Sequence, residues 1–113
     1  MDMKKKYESV GLHYDLIAEK FKDINEYEVT VNAYLDDEFF YDLKDMLENE
    51  DYALAKDAVK GLFILAQELL LFPLYETLME VYEDLEYETY TEILAHYGAM
   101  MDIYRKIRGV FNA

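Results

Sequence analysis

The segment from Asp51 to Glu76 constrains the fold more than any other part of the chain. At about 100° per residue, six of its side chains fall on one side of a helix, with spacings that alternate between three and four. They are Tyr52, Ala55, Val59, Leu62, Ala66 and Leu69. Pro73 interrupts the pattern, because proline disfavours helical geometry in the preceding residue and suits the first position of a new helix. The segment therefore predicts a long buried helix that ends near Leu71 or Phe72, followed by a second helix.

Helical spacing marks four further apolar patterns. A short leading helix is predicted from Val10, Tyr14, Ile17 and Phe21. The next helix is predicted to start at a capping box of Asn25 and Glu28. It runs unbroken, with its inward residues at Val31, Leu35, Phe39, Leu43 and Met46. The helix after the proline ends near Leu85, and the last helix begins at a second capping box, Thr89 with Glu92. The inward residues of this last helix are Tyr90, Ile93, Tyr97, Met101, Tyr104 and Ile107.

These elements predict one all-α domain over residues 1–113. Because the predicted connections have only about two to five residues, neighbouring helices are expected to be antiparallel. The predicted architecture is an up-down antiparallel four-helix bundle with a short N-terminal helix. Twelve tyrosines are expected at the edge of its core, with their hydroxyl groups in water.

The charge balance argues against two classes of partner. The chain has 25 acidic and 11 basic residues, a formal net charge of −14. Nucleic acids and anionic membrane surfaces both need clustered Lys and Arg, so neither is an expected partner. The lysines at 4–6 are not followed by an apolar segment, and the longest apolar run, Leu62 to Tyr75, is interrupted by polar residues and Pro73. With no cysteine in the sequence, we expect a cytoplasmic protein that does not enter a membrane.

Residues suited to catalysis are scarce. The chain has no Cys, one Ser, no glycine-rich phosphate loop, and only two histidines, His13 and His96. A di-metal helical bundle needs Glu-x-x-His pairs, and neither histidine follows a glutamate at that spacing. Glu92 and His96 are four residues apart, which predicts an ordinary surface pair. We therefore expect no enzymatic activity, no metal and no cofactor.

One apolar residue lies on the wrong side of the long helix. Lys60, Ile64 and Leu71 fall well outside the inward stripe, and Phe63 falls at its edge. An outward isoleucine on a charged helix is typical of a docking surface. The alternative is that the leading helix or a loop covers Ile64 and Leu71.

Two short motifs flank Lys60: Asp51-Tyr52-Ala53 at the start of the long helix, and Leu69 to Glu76, which contains a helix break before Leu-Tyr-Glu. They resemble the opening of the active-site helix and the following helix break in the histidine-phosphotransfer (HPt) domains of bacterial multistep phosphorelays. Both motifs place Lys60 where the family has its phospho-accepting histidine. A second register, in which Val59-Lys60-Gly61 matches the family's Leu-Lys-Gly, places Asp57 there but needs three extra residues before the proline.

The resemblance implies the bundle fold but not the usual activity. In the preferred register, Phe63 replaces a lysine that helps to bind the phosphoryl group, and Ile64 replaces a small glycine that lets the partner approach. Lys60 is itself a poor phospho-acceptor, because an ordinary lysine is protonated near neutral pH. We therefore expect a non-catalytic binding or regulatory module that docks a response regulator, a histidine kinase or a second copy of itself. The expected docking residues are Lys60, Phe63, Ile64, Gln67 and Leu71.

Two other functions are compatible with the sequence. His96 could serve as an alternative phospho-acceptor in an active phosphotransfer protein. The chain could also be a structural or interaction bundle unrelated to phosphorelays, because a shared fold does not establish a shared function.

Overall fold

The computed structural model describes residues 2–111, which are helical throughout except at short connections. Seven α-helices and one 3₁₀ turn follow one another in this part of the chain, and none of it is a β-strand. The α-helices are α1 (Met3–Glu8), α2 (Tyr14–Phe21), α3 (Ile24–Leu35), α4 (Phe39–Glu48), α5 (Tyr52–Glu68), α6 (Phe72–Glu86) and α7 (Ile93–Phe111). The 3₁₀ turn, Tyr90–Glu92, leads directly into α7. The all-α prediction is confirmed.

Helix α6 makes the most extensive contacts with other helices. It packs against both α5 and α7, and α4 contacts both α5 and α7. The molecule is elongated, with extents of 42 × 21 × 20 Å. The predicted inward stripe of α5 is buried at five of its six positions, and Tyr52 is half-buried. Burial of this stripe leaves the opposite face of α5 turned away from the core.

The predicted unbroken helix over Asn25–Met46 is wrong, because the structure divides it into α3 and α4. The amide of Phe39 donates to the carboxylate of Asp37 at 2.9 Å, which takes it away from the helical hydrogen-bond pattern. The carbonyl of Leu35 instead accepts from the Tyr104 hydroxyl at 2.5 Å and from Arg108 Nη1 at 2.6 Å. Two side chains of α7 thus donate the hydrogen bonds that the last carbonyl group of α3 accepts.

This break changes which residues of α4 face inward. Phe40 is fully buried, whereas Phe39 is 44% exposed. Leu47 is buried and Met46 only half-buried. The prediction that Phe39 faces inward is therefore wrong, whereas the predicted Leu43 is fully buried and Met46 is partly buried and packs against the core.

The N-terminal region also differs from prediction. A first helix, α1, precedes the expected leading helix, and its Tyr7 is fully buried and donates to Glu28 at 2.8 Å. The predicted capping box of Asn25 and Glu28 is wrong, because Asp23 caps α3 by accepting from the Glu26 amide at 3.1 Å. Leading helix α2 starts at Tyr14, beyond the turn around Gly11. Gly11 has φ +83°, and a Cβ there would lie 3.1 Å from Pro73 Cγ.

Five buried tyrosines donate their hydroxyl groups to other protein groups, contrary to the prediction that the hydroxyls lie in water. Tyr7 donates to Glu28, and the other four each donate to a backbone carbonyl of another helix or of a helix end: Tyr27 to Leu69, Tyr34 to Leu62, Tyr97 to Phe40, and Tyr104 to Leu35. Burial raises the pKa of these phenols, to about 12 for Tyr104. A buried hydroxyl needs a partner, and these bonds connect α3 with α5 and connect α7 with the α3–α4 junction.

Candidate functional site

The outer face of α5 contains most of the predicted docking residues. Lys60 and Gln67 are exposed, and the side chain of Ile64 is 41% exposed. Phe63 is half-buried, because its ring lies against the rings of Tyr75 and Tyr82 on α6 at centroid distances of 6.0 and 5.0 Å. The structure therefore places Lys60, Ile64 and Gln67 on one accessible surface, with Phe63 at its edge.

Leu71 does not belong to this surface, and its prediction as a docking residue is wrong. Its side chain is fully buried. Helix α5 ends at Glu68, and Leu70 adopts a positive φ of 58°. The Leu71 amide then donates to the carbonyl of Ala66 at 2.9 Å. Because the chain has left the helix, Leu71 no longer follows the helical phase and turns into the core.

Two exposed leucines on α5 were not among the predicted site residues. Leu54 is 56% exposed and Leu65 is 44% exposed. Between them on the same side of the helix lie Ala58, which is buried at the edge of the core with 9% exposure, and the exposed Gly61. We call these four residues the leucine strip. Their spacing of four, three and four residues was a readable sequence signal, because it is the spacing of a helix face.

Gly61 makes the middle of the leucine strip shallow. A Cβ added there would meet nothing within 4 Å, so packing inside the chain does not require a glycine. A glycine inside a helix is less favourable than alanine by about 1 kcal/mol. Gly61 therefore weakens α5 without a compensating contact within the chain, and leaves room for another molecule to approach its backbone.

The charge of α5 differs from that of its neighbour α6. Helix α5 contains Lys56 and Lys60 against Asp57 and Glu68, which balance, whereas α6 contains five acidic residues and no basic one. Lys56 forms an ion pair with Glu86 at 2.5 Å, and this contact raises the pKa of Lys56. Helix α5 as a whole is thus electrically balanced in a chain of net charge −14.

A second group of polar side chains lies at the turn between α6 and α7. Asp84, the one buried charged residue among residues 2–111, has Oδ2 2.5 Å from Nδ1 of His96. Its Oδ1 accepts from the Thr89 hydroxyl at 3.1 Å, and its carbonyl accepts from the Thr89 amide at 2.9 Å. The predicted capping box of Thr89 and Glu92 is wrong, because Asp84 binds the Thr89 side chain.

The environment of His96 is dominated by carboxylates. Its hydrogen bond to Asp84 raises the pKa of the imidazole most, and the charges of Glu80 and Glu92 act in the same direction. The sequence paired His96 with Glu92, but the structure shows Asp84 as its hydrogen-bonding partner. When Nδ1 donates to Asp84, a neutral imidazole has its lone pair on Nε2. The side chain of His96 is 36% exposed, and Nε2 is the ring nitrogen available to attack phosphorus. The nearby negative charge, however, opposes the approach of a phosphate.

Within residues 2–111 no cluster of three or more His, Asp or Glu side chains is arranged to bind a metal ion. In the same part of the chain, every helix is too short or too polar to cross a membrane. No protein-family model, curated protein or solved structure matches the chain.

Proposed function

We propose that this chain is an HPt-like, non-catalytic binding module of two-component signalling in the cytoplasm. In this proposal α3 with α4, α5, α6 and α7 correspond to the four antiparallel helices of an up-down bundle, and α1 and α2 precede it. The module docks a protein partner through the outer face of α5 and transfers no phosphate. The observation that carries the proposal is the exposed Ile64 beside Lys60, at the positions where the HPt resemblance expects a glycine and a histidine.

The chemistry at these positions supports binding without transfer. Lys60 is exposed, and a solvated lysine is a cation whose nitrogen has no lone pair for attack on phosphorus. Phe63 is neutral and packs against Tyr82, so it supplies no charge to a phosphoryl group. The branched side chain of Ile64 occupies the space that a receiver domain would need to approach closely, so only a docking contact remains.

The exposure of apolar side chains supports docking. Leu54, Ile64 and Leu65 are each at least 41% exposed and lie on a single helix. Grouped apolar residues on a protein surface are typical of an interaction site. The balanced charge of α5 also allows an acidic partner to approach, which the strongly acidic α6 would oppose.

The proposal is tested by titrating the purified chain against receiver domains and histidine-kinase domains of the same organism in a calorimeter. We expect one of them to bind and Ile64→Glu to weaken that binding at least about tenfold, since a charge would be placed in an apolar contact. Leu94→Glu is the matched control, because Leu94 is 49% exposed on α7. Equal loss in both variants, or phosphoryl transfer to the wild type, would contradict the proposal.

A second candidate function, phosphotransfer through His96, is favoured by one observation. The contact between His96 Nδ1 and Asp84 Oδ2 leaves Nε2 as the ring nitrogen available to attack phosphorus. Incubation with radiolabelled acetyl phosphate would label the wild type and His13→Gln but not His96→Gln if this function exists. We expect no label in any of the three proteins, because the negative charges of Glu80 and Glu92 near the imidazole repel the negatively charged acetyl phosphate.

A further inference from the structure

The leucine strip has the same order and spacing of large and small residues in both directions along α5. Leu54, Ala58, Gly61 and Leu65 are separated by four, three and four residues, so the order is large, small, small, large about a midpoint between Val59 and Lys60. A two-fold symmetric interface requires a self-complementary surface, in which residue i of one copy contacts residue j of the other and the reverse. The strip meets this requirement when two α5 helices run antiparallel.

We propose that the partner bound by the leucine strip is a second copy of this chain, with the two α5 helices crossing antiparallel at Ala58 and Gly61. This inference rests on the proposed use of α5 for docking, and it names the occupant of the leucine strip, which lies next to Ile64 around the same helix. In this arrangement Leu54 of each copy packs against Leu65 of the other. Ala58 packs against Gly61 at the crossing, where the open space above Gly61 admits the backbone of the second helix.

The charges of α5 are compatible with this pairing. Two copies of net charge −14 repel each other, so self-association requires a face without excess negative charge, and α5 has two basic and two acidic residues. In the antiparallel register, Lys60 of one copy and Asp57 of the other lie on the same side of the pair. Their levels along the helix axis differ by two residues, or about 3 Å, which is within reach of a lysine side chain.

The size of the surface predicts a weak dimer. Its apolar contacts come from one face of one helix, Tyr52–Glu68, so the buried area falls at the low end of protein–protein interfaces. We therefore expect dissociation in the micromolar range, about 1–100 μM. The molar mass from light scattering should rise between one and two chains as the concentration passes through this range.

Gly61→Gln tests the crossing, because a Cβ at this exposed position meets nothing within 4 Å in one copy, whereas the proposed dimer has no room for the new side chain. We expect the variant to remain folded by circular dichroism and to be at least tenfold weaker in self-association. Gly109→Gln is the matched control, since Gly109 is also helical, exposed and open, but lies on α7. Leu54→Glu gives a second, independent disruption of the same strip.

Cysteine crosslinking tests the direction of the pairing, and the absence of native Cys makes it unambiguous. In the antiparallel register, residues 54 and 65 of different copies are adjacent, whereas two copies of residue 54 are about 16 Å apart along the axis. Mixed Leu54→Cys and Leu65→Cys proteins should therefore form a disulfide under mild oxidation. Neither single variant alone should do so.

Three results would overturn the inference: a disulfide between two copies of Leu54→Cys, a dimer unaffected by both Gly61→Gln and Leu54→Glu, or a wild type that stays monomeric up to about 1 mM. Binding of a receiver or kinase domain by such a monomer, with loss in Ile64→Glu, would leave the proposed function intact and reject only the second copy. A monomer that binds none of these domains would reject both.

Discussion

Nδ1 of His96 lies 2.5 Å from Oδ2 of the buried Asp84, so the first half of α7 is linked directly to the end of α6. The same carboxylate binds the Thr89 side chain, and these contacts fix the turn between the two helices. Because the contact favours the protonated imidazole, it raises the pKa of His96 above its ordinary value of 6.5.

This linkage makes stability depend on pH. A raised folded-state pKa contributes stability that is fully present below the unfolded value of about 6.5 and is lost as pH rises through the folded value. We therefore expect the difference in unfolding free energy between wild type and His96→Gln to shrink as pH increases above 6.5. Urea unfolding between about pH 5.5 and about pH 9 measures it.

Asp84→Asn is the matched variant for this measurement, because the amide can still bond to the imidazole but no longer attracts its charge. The pH-dependent part of the difference should be clearly smaller when His96→Gln is compared in the Asp84→Asn background, where only the charges of Glu80 and Glu92 still raise the pKa of His96. A difference that stays constant with pH in the wild-type background would show that the pair contributes no charge-dependent stability.

The hydrogen bonds from buried tyrosines to backbone carbonyl groups predict that a single hydroxyl contributes measurably to the unfolding free energy. Tyr34 donates to the carbonyl of Leu62 at 2.6 Å, and its ring packs edge-on against Phe40, a contact that Tyr34→Phe preserves. We expect this variant to lose about 1 kcal/mol of unfolding free energy, the usual net value of a buried hydrogen bond. Tyr87→Phe, at a side chain that is 73% exposed, should lose less than about 0.5 kcal/mol in the same urea titration. Equal losses would mean that the buried hydroxyl contributes nothing.

Arg108 is predicted to stabilise the junction between α3 and α4. Its guanidinium donates to the Leu35 carbonyl at 2.6 Å and to the Tyr104 hydroxyl at 3.0 Å, and it forms an ion pair with Asp36. Arg108→Ala should therefore lower the unfolding free energy by about 2 kcal/mol, since several charge-assisted bonds are lost.

Arg105→Ala is the control for Arg108→Ala. Arg105 forms an ion pair with Asp102 at 3.3 Å, one turn earlier on α7, and both side chains are well exposed. Such pairs contribute little, so the control should change stability by less than about 0.5 kcal/mol. If Arg105→Ala is as destabilising as Arg108→Ala, the network at the junction is not what stabilises it.

The sequence predicted the parts of the fold that depend on short, regular spacing. The buried stripe of α5 from Ala55 to Leu69 was correct because a 17-residue helix repeats one local geometry. The break after Leu35 was missed because Tyr104 and Arg108, which satisfy its carbonyl, lie 69 and 73 residues further along the chain. Apolar spacing carries no information about such distant partners.

The candidate sites show the same division. Ile64 lies outside the core stripe, as the phase of α5 predicts, and its 41% exposure rules out the alternative that another segment covers it fully. Leu71 was predicted to be a docking residue but is buried, because Leu70 adopts a left-handed backbone conformation. That conformation is usually signalled in a sequence by a glycine, which is absent here. The pairing of His96 with Asp84 was also missed, because it forms across the turn between two helices rather than along one helix face.

The proposed dimer should become stronger as salt is added, contrary to a complex formed by attraction between opposite charges. Each copy carries a net charge of −14, and screening reduces the repulsion between copies as the Debye length falls from about 10 Å at 0.1 M salt to about 3 Å at 1 M. The leucine strip is apolar and is not weakened by screening. We expect sedimentation equilibrium to give a dissociation constant several-fold lower at 1 M than at 0.1 M NaCl. Gly61→Gln should stay monomeric at both salt concentrations, and this control separates specific pairing from salting-out. A dissociation constant that rises with salt would show that ion pairs, rather than the leucine strip, hold the two copies together.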